Sequence, residues 1–292
     1  MDKPSFSNSM LSRLLTVFKG ADTNAKTFTP KQIAQRVKLP FTGLDKPELT
    51  ICWKDNLYLQ HLHDLPRSAL SGPVQEDKAE AHALLAKLVN KVVDTESVID
   101  LREVYGISEQ LPGAAGLQNL EALAASQQCR HIRIISYRDF EKTITQAIPH
   151  FLAEQPIKLR QASWLGDQLF WAQEQNSCEF ACAVVYARRR GLDLRRKTCI
   201  SRYTLNLDTV LAVQKNYHML IMPESAWSDR EFMAILLASG SPYARLTLSK
   251  APHPVEVLLL PKHKQQSNTL GEGLKLAGAH DACAVLLLLA QH

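Results

Sequence analysis

The sequence lacks a Cys-x-x-Cys pair. None of its six cysteines in 292 residues forms one, so the common zinc-ribbon spacings are absent. Scattered thiols in a chain of this size fit a reducing compartment better than a disulfide framework. We therefore expect a cytoplasmic protein without a bound metal, and no pattern in the chain indicates a cofactor.

Long apolar runs are also missing. The longest, Ala282 to Ala290, is too short to cross a bilayer, and the apolar stretch from Met10 to Phe18 is interrupted by Arg13. The sequence therefore predicts neither a membrane span nor a secretory signal.

Motifs of several enzyme classes are absent as well. The chain contains no Gly-x-x-x-x-Gly-Lys-Ser/Thr loop, no Gly-x-Gly-x-x-Gly after a predicted strand and no His-Glu-x-x-His. Its composition is that of an ordinary globular protein, with 46% apolar residues, 22% charged residues and a net charge of +5. This mildly basic balance allows a nucleic-acid or acidic partner without requiring either.

The hydrophobic pattern predicts an α+β protein. Strand-like segments often neighbour one another and helices are interspersed irregularly, which favours a mixed sheet. Residues 1–28 are predicted to be a leader with an amphipathic helix, residues 29–117 a helical part with a hairpin, and residues 118–292 a compact α+β domain. Pro112 and the glycines around it mark the internal boundary.

Three segments in the first half of the chain have clear local patterns. Residues 49–62 alternate around the turn-forming Lys54-Asp55-Asn56 and predict the hairpin. Residues 76–93 predict one continuous helix, and residues 131–135 predict a strand.

The segment from Gln173 to Lys197 carries the densest chemistry. Asn176 or Ser177 can cap a helix, Cys178 then falls in its first turn, and Gly191 is placed to end it. The free N–H groups of a helix N-terminus favour a thiolate, which suits a nucleophile if a histidine can reach it.

Residues 177–191, SCEFACAVVYARRRG, resemble the catalytic helix of bacteriocin-processing cysteine peptidases of the papain-like superfamily. The resemblance implies that Cys178 is the nucleophile and that His218, which opens an apolar strand, is the general base. Gln173 lies one position away from the place of the oxyanion-stabilising Gln in that family. Glu179 stands where the family has Gly.

Basic residues gather at the end of the same predicted helix and just beyond it. They are Arg188, Arg189, Arg190, Arg195, Arg196, Lys197 and Arg202. Clustered guanidinium groups hold phosphates, and Tyr186 or Tyr203 could stack on a base nearby. The alternative is a solvated cluster that complements the helix dipole.

Three functions follow, in order of preference. The first is a cytoplasmic interaction protein that contacts nucleic acid or another polyanionic partner, such as an acidic protein, through the Arg-rich surface. The second is a papain-like thiol hydrolase or transferase that uses Cys178 and His218. The third is a structural or regulatory module with neither site. The patterns leave the oligomeric state open.

Overall fold

The computed structural model describes residues 28–44, 49–108, 111, 116–153, 155–249 and 254–290. The leader predicted for residues 1–28 lies outside this part of the chain, except for Phe28. Every helix in the described ranges is too short or too polar to traverse a bilayer.

The predicted α+β class is confirmed. The helices of the described residues are α1 (Pro30–Arg36), α2 (Gln75–Leu85), α3 (Leu120–Ala124), α4 (Tyr137–Ala147), α5 (Ser177–Arg190), α6 (Leu207–Asn216), α7 (Arg230–Ala238), α8 (Gln265–Leu276) and α9 (Ala282–Ala290). The strands are β1 (Val89–Asp94), β2 (Val98–Asp100), β3 (Gly106–Ile107), β4 (Ile157–Ala162), β5 (Phe170–Trp171), β6 (Arg195–Leu205), β7 (Tyr217–Met222), β8 (Ala244–Ser249) and β9 (Val255–Pro261). Short 3-10 turns lie between them, among them Leu101–Glu103, Gln127–Cys129 and Phe151–Ala153.

The strands form two sheets. The larger sheet has the order β1-β6-β4-β5-β3, with β2 also paired to β6. Strand β6 is antiparallel to β1 and β2 and parallel to β4, so the sheet is mixed. The smaller sheet has the order β7-β9-β8 and is antiparallel throughout. The basic residues 195–197 therefore lie in a strand and not in a loop. This strand is paired with other strands of the larger sheet.

Three hydrophobic cores lie on the faces of the two sheets. The first outer core packs α3, α4 and α5 against one face of the larger sheet, which contributes Leu159 and Ile200. The middle core packs the opposite face, including Phe170 and Tyr203, against the smaller sheet and α9. The second outer core packs the far face of the smaller sheet against α1, α7 and α8. Strand alternation explains this order, because successive side chains point to opposite faces.

Side-chain caps mark several helix starts. Thr29 and Gln32 form a reciprocal capping box at α1, and Ser136 and Asp139 form another at α4. The Asp229 side chain accepts a hydrogen bond from the backbone at the start of α7. These local bonds satisfy backbone groups that a helix end leaves unpaired.

The hairpin predicted for residues 49–62 is wrong. The segment contains the 3-10 turns Trp53–Asp55 and Gln60–Asp64 instead of two strands. The buried Asn56 side chain accepts from the backbone N–H of Thr50 at 3.0 Å and donates to the carbonyls of Thr50 and Cys52. These bonds fold the chain back on itself. They satisfy backbone groups of this segment without the hydrogen bonds of a β-ladder.

Two other segments differ from their predictions. The helix predicted for residues 76–93 ends at Leu85, and β1 follows, because Val92 and Val93 pair with β6. Residues 131–135 form no strand. The apolar residues Ile132 and Ile134 of this stretch alternate like a strand, but no neighbouring strand pairs with them among the described residues.

The predicted boundary at residues 117–118 does not separate two sheets. Strands β1, β2 and β3 precede it, yet they pair with β5 and β6, which follow it. The middle core likewise combines Trp53 and Leu85 with Tyr203 and Leu286. Both parts of the chain therefore build the same core.

Candidate functional site

Helix α5 has the limits that its sequence predicts. It begins at Ser177, after Asn176 with a left-handed φ of 60°, and ends before Gly191, which has a φ of 67°. Asn176 does not cap the helix with its side chain, because its Nδ2 donates to the carbonyl oxygen of Gln146 at 2.9 Å. Cys178 lies in the first turn, as predicted.

The structure does not bring Cys178 and His218 together. Cys178 packs on the first outer core, on a helix whose neighbours are α3, α4 and 3-10 turns. His218 lies on β7 and turns toward α8, where its Nε2 is 2.8 Å from Oδ1 of Asn268. Both sheets and the middle core lie between the two side chains. The predicted Cys–His dyad is therefore not formed.

The surroundings of His218 are those of a packed residue. Its side chain is 5% exposed, and Nδ1 has no hydrogen-bond partner among the described residues. Burial lowers the pKa of His218. The hydrogen bond that Nε2 donates to Asn268 and the charge of Asp281 oppose this shift, and the nearby Lys275 and Lys262 add to it. The fold thus favours the neutral form of the imidazole.

This burial predicts an acid sensitivity that belongs to His218. Below pH 6.5, the ordinary pKa of histidine, the unfolded chain binds a proton at this residue that the folded chain does not. The free energy of unfolding therefore decreases as the pH is lowered, until the pH is below the pKa of His218 in the folded state. The variant His218→Gln, followed by urea unfolding between about pH 7 and 5, should lose this part of the slope. His131→Gln, at an exposed position, is the matched control and should keep it. Equal slopes in the His218 variant and the wild type would contradict the assignment.

Gln173 lies in a cleft on the edge of the same helical layer. This cleft, called the Gln173 cleft here, has a volume of about 420 Å³ and is lined by residues 148–150, 155–158 and 171–173. Exposed Lys158 gives it a positive charge and exposed His150 adds an imidazole. The Trp171 ring, whose centre is 4.2 Å from that of Phe180, forms its buried wall. The cleft offers hydrogen bonding and positive charge next to an apolar wall.

Arg188 has an internal role, which corrects its predicted place in a binding surface. Its Nε donates to the carbonyl of Arg102 at 2.8 Å, one terminal nitrogen donates to the carbonyl of Val104 at 2.7 Å, and the other pairs with Glu121 at 2.7 Å. Each of its three guanidinium nitrogens thus donates to an acceptor of the fold. Arg188 ties α5 to α3 and to the segment that precedes β3.

The basic residues that do not belong to the start of β6 are dispersed over the surface. Arg189 and Arg190 are exposed at the end of α5, with the Arg190 guanidinium 5.7 Å from the ring centre of Tyr186. Arg202 lies farther along β6, hydrogen-bonded to Gln161 and 3.5 Å from Asp94. The seven predicted binding residues therefore do not form one continuous patch.

The first three residues of β6 do meet at one surface. Arg195, Arg196 and Lys197 line a second cleft, the basic cleft, with a volume of about 360 Å³. Its remaining lining residues are Val98, Phe151 and Leu152. The guanidinium of Arg196 lies 4.0 Å from the ring centre of Phe151, close enough for a cation–π contact. The basic cleft thus combines cations with apolar surface.

The three cations of the basic cleft are not equivalent. Arg195 forms a 2.6 Å ion pair with Asp193, and this hydrogen bonding holds the pKa of the Asp193 carboxyl well below its usual range. Arg196 and Lys197 form no ion pair with a described carboxylate. Two lining residues of the cleft therefore carry positive charges that no described carboxylate pairs with.

The apolar residues of the basic cleft were not predicted from the sequence. Phe151 and Leu152 belong to a 3-10 turn after α4, and Val98 is 59% exposed on the short strand β2. Leu152, in the 3-10 turn, is also a highly exposed apolar residue, with 69% of its surface accessible. A turn of this kind gives no periodic signal, so only the tertiary structure reveals that it lies beside β6.

The described residues contain no group of three or more His, Cys, Asp or Glu that is arranged to hold a metal ion. No curated protein and no solved structure matches the chain. Residues 94–292, which include α5, β6 and most of both clefts, match a family of unknown function. The chain therefore belongs to this family of unknown function, DUF6685.

Proposed function

We propose that this protein binds a polyanion at the basic cleft, and that single-stranded nucleic acid is the polyanion that the cleft fits best. The observation that carries the proposal is the meeting of Arg196 and Lys197, both without a carboxylate partner among the described residues, with the apolar residues Phe151, Leu152 and Val98. A negatively charged ligand would supply the charge that the fold leaves uncompensated.

The position of Arg196 favours a ligand with flat apolar groups as well as charge. Its guanidinium is supported on one side by the Phe151 ring at 4.0 Å. Guanidinium planes stack on the unpaired bases of single-stranded nucleic acids, whereas a duplex keeps its bases inside. Leu152 and Val98 add exposed apolar surface on which a base or sugar could rest.

The Gln173 cleft follows the basic cleft along the chain. Residues 148–150 line the Gln173 cleft, and the next two residues, 151–152, line the basic cleft. Strands β4 and β6 are parallel, so Lys158, near the start of β4, lies at the same end of the sheet as Lys197. An extended strand that occupies both clefts would meet Arg196, Lys197 and Lys158.

Fluorescence anisotropy with labelled oligo-dT and oligo-U tests this function. We expect weak binding, with a dissociation constant in the range of about 1–100 µM at physiological salt. About three phosphate contacts predict a slope near −2 for the logarithm of the association constant against the logarithm of the salt concentration. The double variant Arg196→Glu/Lys197→Glu should bind at least about tenfold more weakly, because two charge-assisted contacts become repulsive.

The control for this experiment carries the same change in charge at another place. Arg189→Glu/Arg190→Glu reverses two exposed cations on α5 that do not line the basic cleft, and its affinity should change much less. Equal losses in both double variants would refute the assignment to the cleft, as would absence of binding at low salt. Competition by polyglutamate as effective as that by oligo-dT would overturn the choice of nucleic acid.

A further inference from the structure

Three thiols converge in the first outer core. Cys178 and Cys182 lie one turn apart on α5 and therefore share a helix face. Cys129, at the end of the 3-10 turn Gln127–Cys129, packs into the same core and is 1% exposed. None of the three is in a disulfide, and Cys178 and Cys182 are partly exposed. The chain separates Cys129 from the other two by about fifty positions, so only the fold brings them together.

The Cys129 and Cys182 side chains are in hydrogen-bonding contact. The helix α5 packs on the turn that carries Cys129, which fixes this approach. This contact brings the two sulfurs near one another, which is the first requirement for a disulfide between them. Within the described ranges, these cysteines are not part of a group of ligands that could hold a metal ion.

The two thiols of this pair have unequal acidity. The hydrogen bond between them, together with burial, raises the pKa of Cys129, whereas the same bond lowers the pKa of Cys182. Burial and the charges of Cys178 and Glu179 oppose the lowering at Cys182. The proton is thus held on the buried sulfur, and thiolate character lies on the sulfur that solvent can reach.

We propose that Cys129 and Cys182 are a reversible dithiol–disulfide pair that reacts with hydroperoxides. The Cys182 thiolate attacks the O–O bond of hydrogen peroxide, which yields a sulfenic acid at Cys182 and releases hydroxide. The Cys129 sulfur then attacks the sulfenic sulfur, the S–S bond forms, and water leaves. Two thiols are oxidised by two electrons while one peroxide is reduced to two waters, and a small dithiol reverses the change by thiol–disulfide exchange.

Cys178 is the thiol that competes with Cys182 for a disulfide with Cys129. It lies on the same face of α5 as Cys182 and also contacts Cys129. Two residues one turn apart on a helix have side chains that run parallel, whereas Cys129 approaches Cys182 from another element. The expected product therefore joins Cys129 to Cys182 and leaves Cys178 as a thiol.

The test uses the full chain treated with a small excess of hydrogen peroxide, followed by alkylation and digestion with trypsin without reduction. The sequence places Cys129 in peptide 103–130 and both α5 cysteines in peptide 161–188. The wild type should yield the two peptides joined by a disulfide, and dithiothreitol should separate them. The Cys178→Ser variant should yield the same link, and fragmentation should assign it to Cys182.

The serine variants of the pair complete the test. Cys182→Ser should abolish the link, and Cys129→Ser should abolish it while a sulfenic acid accumulates at Cys182, where dimedone traps it. Circular dichroism checks that the Cys129→Ser variant, changed at a buried position, is folded. If it is not, the results for the wild type and Cys178→Ser still decide whether the Cys129–Cys182 disulfide forms. Absence of any link in the wild type, or loss of the link in Cys178→Ser, would overturn the proposal.

Discussion

Replacing Arg188 by methionine is expected to lower the free energy of unfolding by about 2–4 kcal/mol, because it leaves acceptors of the fold without their charged donor. The change removes hydrogen bonds to the carbonyls of Arg102 and Val104 and leaves Glu121 without its ion pair. Methionine preserves most of the apolar length of the side chain, so the loss reports on the donors. Urea unfolding followed by circular dichroism measures the change.

Two further variants make this result specific. Arg188→Lys keeps the charge but offers a single ammonium group to acceptors that a guanidinium reaches along three directions, so it should recover only part of the loss. Arg189→Met, one residue along the helix and exposed, should leave the free energy of unfolding unchanged within error. The internal role of Arg188 would be disproved if Arg188→Met and Arg189→Met unfolded at the same urea concentration.

Replacing Gly271 by alanine is expected to destabilise the protein, although the same change in a free helix would stabilise it. Gly271 lies inside α8, where alanine is favoured over glycine by about 1 kcal/mol. A Cβ at this position would lie 2.6 Å from Cγ of His218 and closer still to Cδ2, so the ring and the helix would have to separate. Such overpacking costs about 1–3 kcal/mol or more, which outweighs the gain in helix propensity.

A double-mutant cycle isolates this contact. In the background of His218→Ala the ring is gone, and Gly271→Ala should then cost clearly less than in the wild type, with the Cβ of residue 218 at 3.0 Å as the remaining close contact. Gly43→Ala is the control, because a Cβ there would meet His280 at an ordinary distance of 3.5 Å. The same cost for Gly271→Ala in both backgrounds would show that the close approach to His218 is not its cause.

The parts of the fold that the sequence predicts are those with local signals. Helix α5 is correct at both ends because Gly191 adopts a left-handed conformation that few other residues tolerate. Strand β7 begins one residue before His218, which the sequence predicts to open an apolar strand, since the segment is a short apolar run. The end of α2 is missed, because Val92 continues the helical spacing and only its pairing with β6 makes the segment a strand.

The candidate sites depend on tertiary structure that these signals do not carry. The sequence locates Cys178 at a helix N-terminus and His218 at a strand start, but it does not reveal that two sheets lie between them. It also groups Arg188 with Arg196, although one side chain faces backbone carbonyls and the other lies on Phe151. The contact of Cys129 with Cys182 has no sequence signal, because it joins a 3-10 turn to a distant helix.

The stacking of three cores has a consequence for how the chain assembles as it leaves the ribosome. The first outer core draws on side chains from Ile51 to Ile200, so all its parts have been synthesised once β6 is complete. The middle core also needs Cys283 and Leu286 of α9, which are translated last among the described helices. The thiol-bearing layer can therefore settle early, while the opposite face of the larger sheet stays uncovered, and prone to adhere to other chains, until synthesis of α9 is complete.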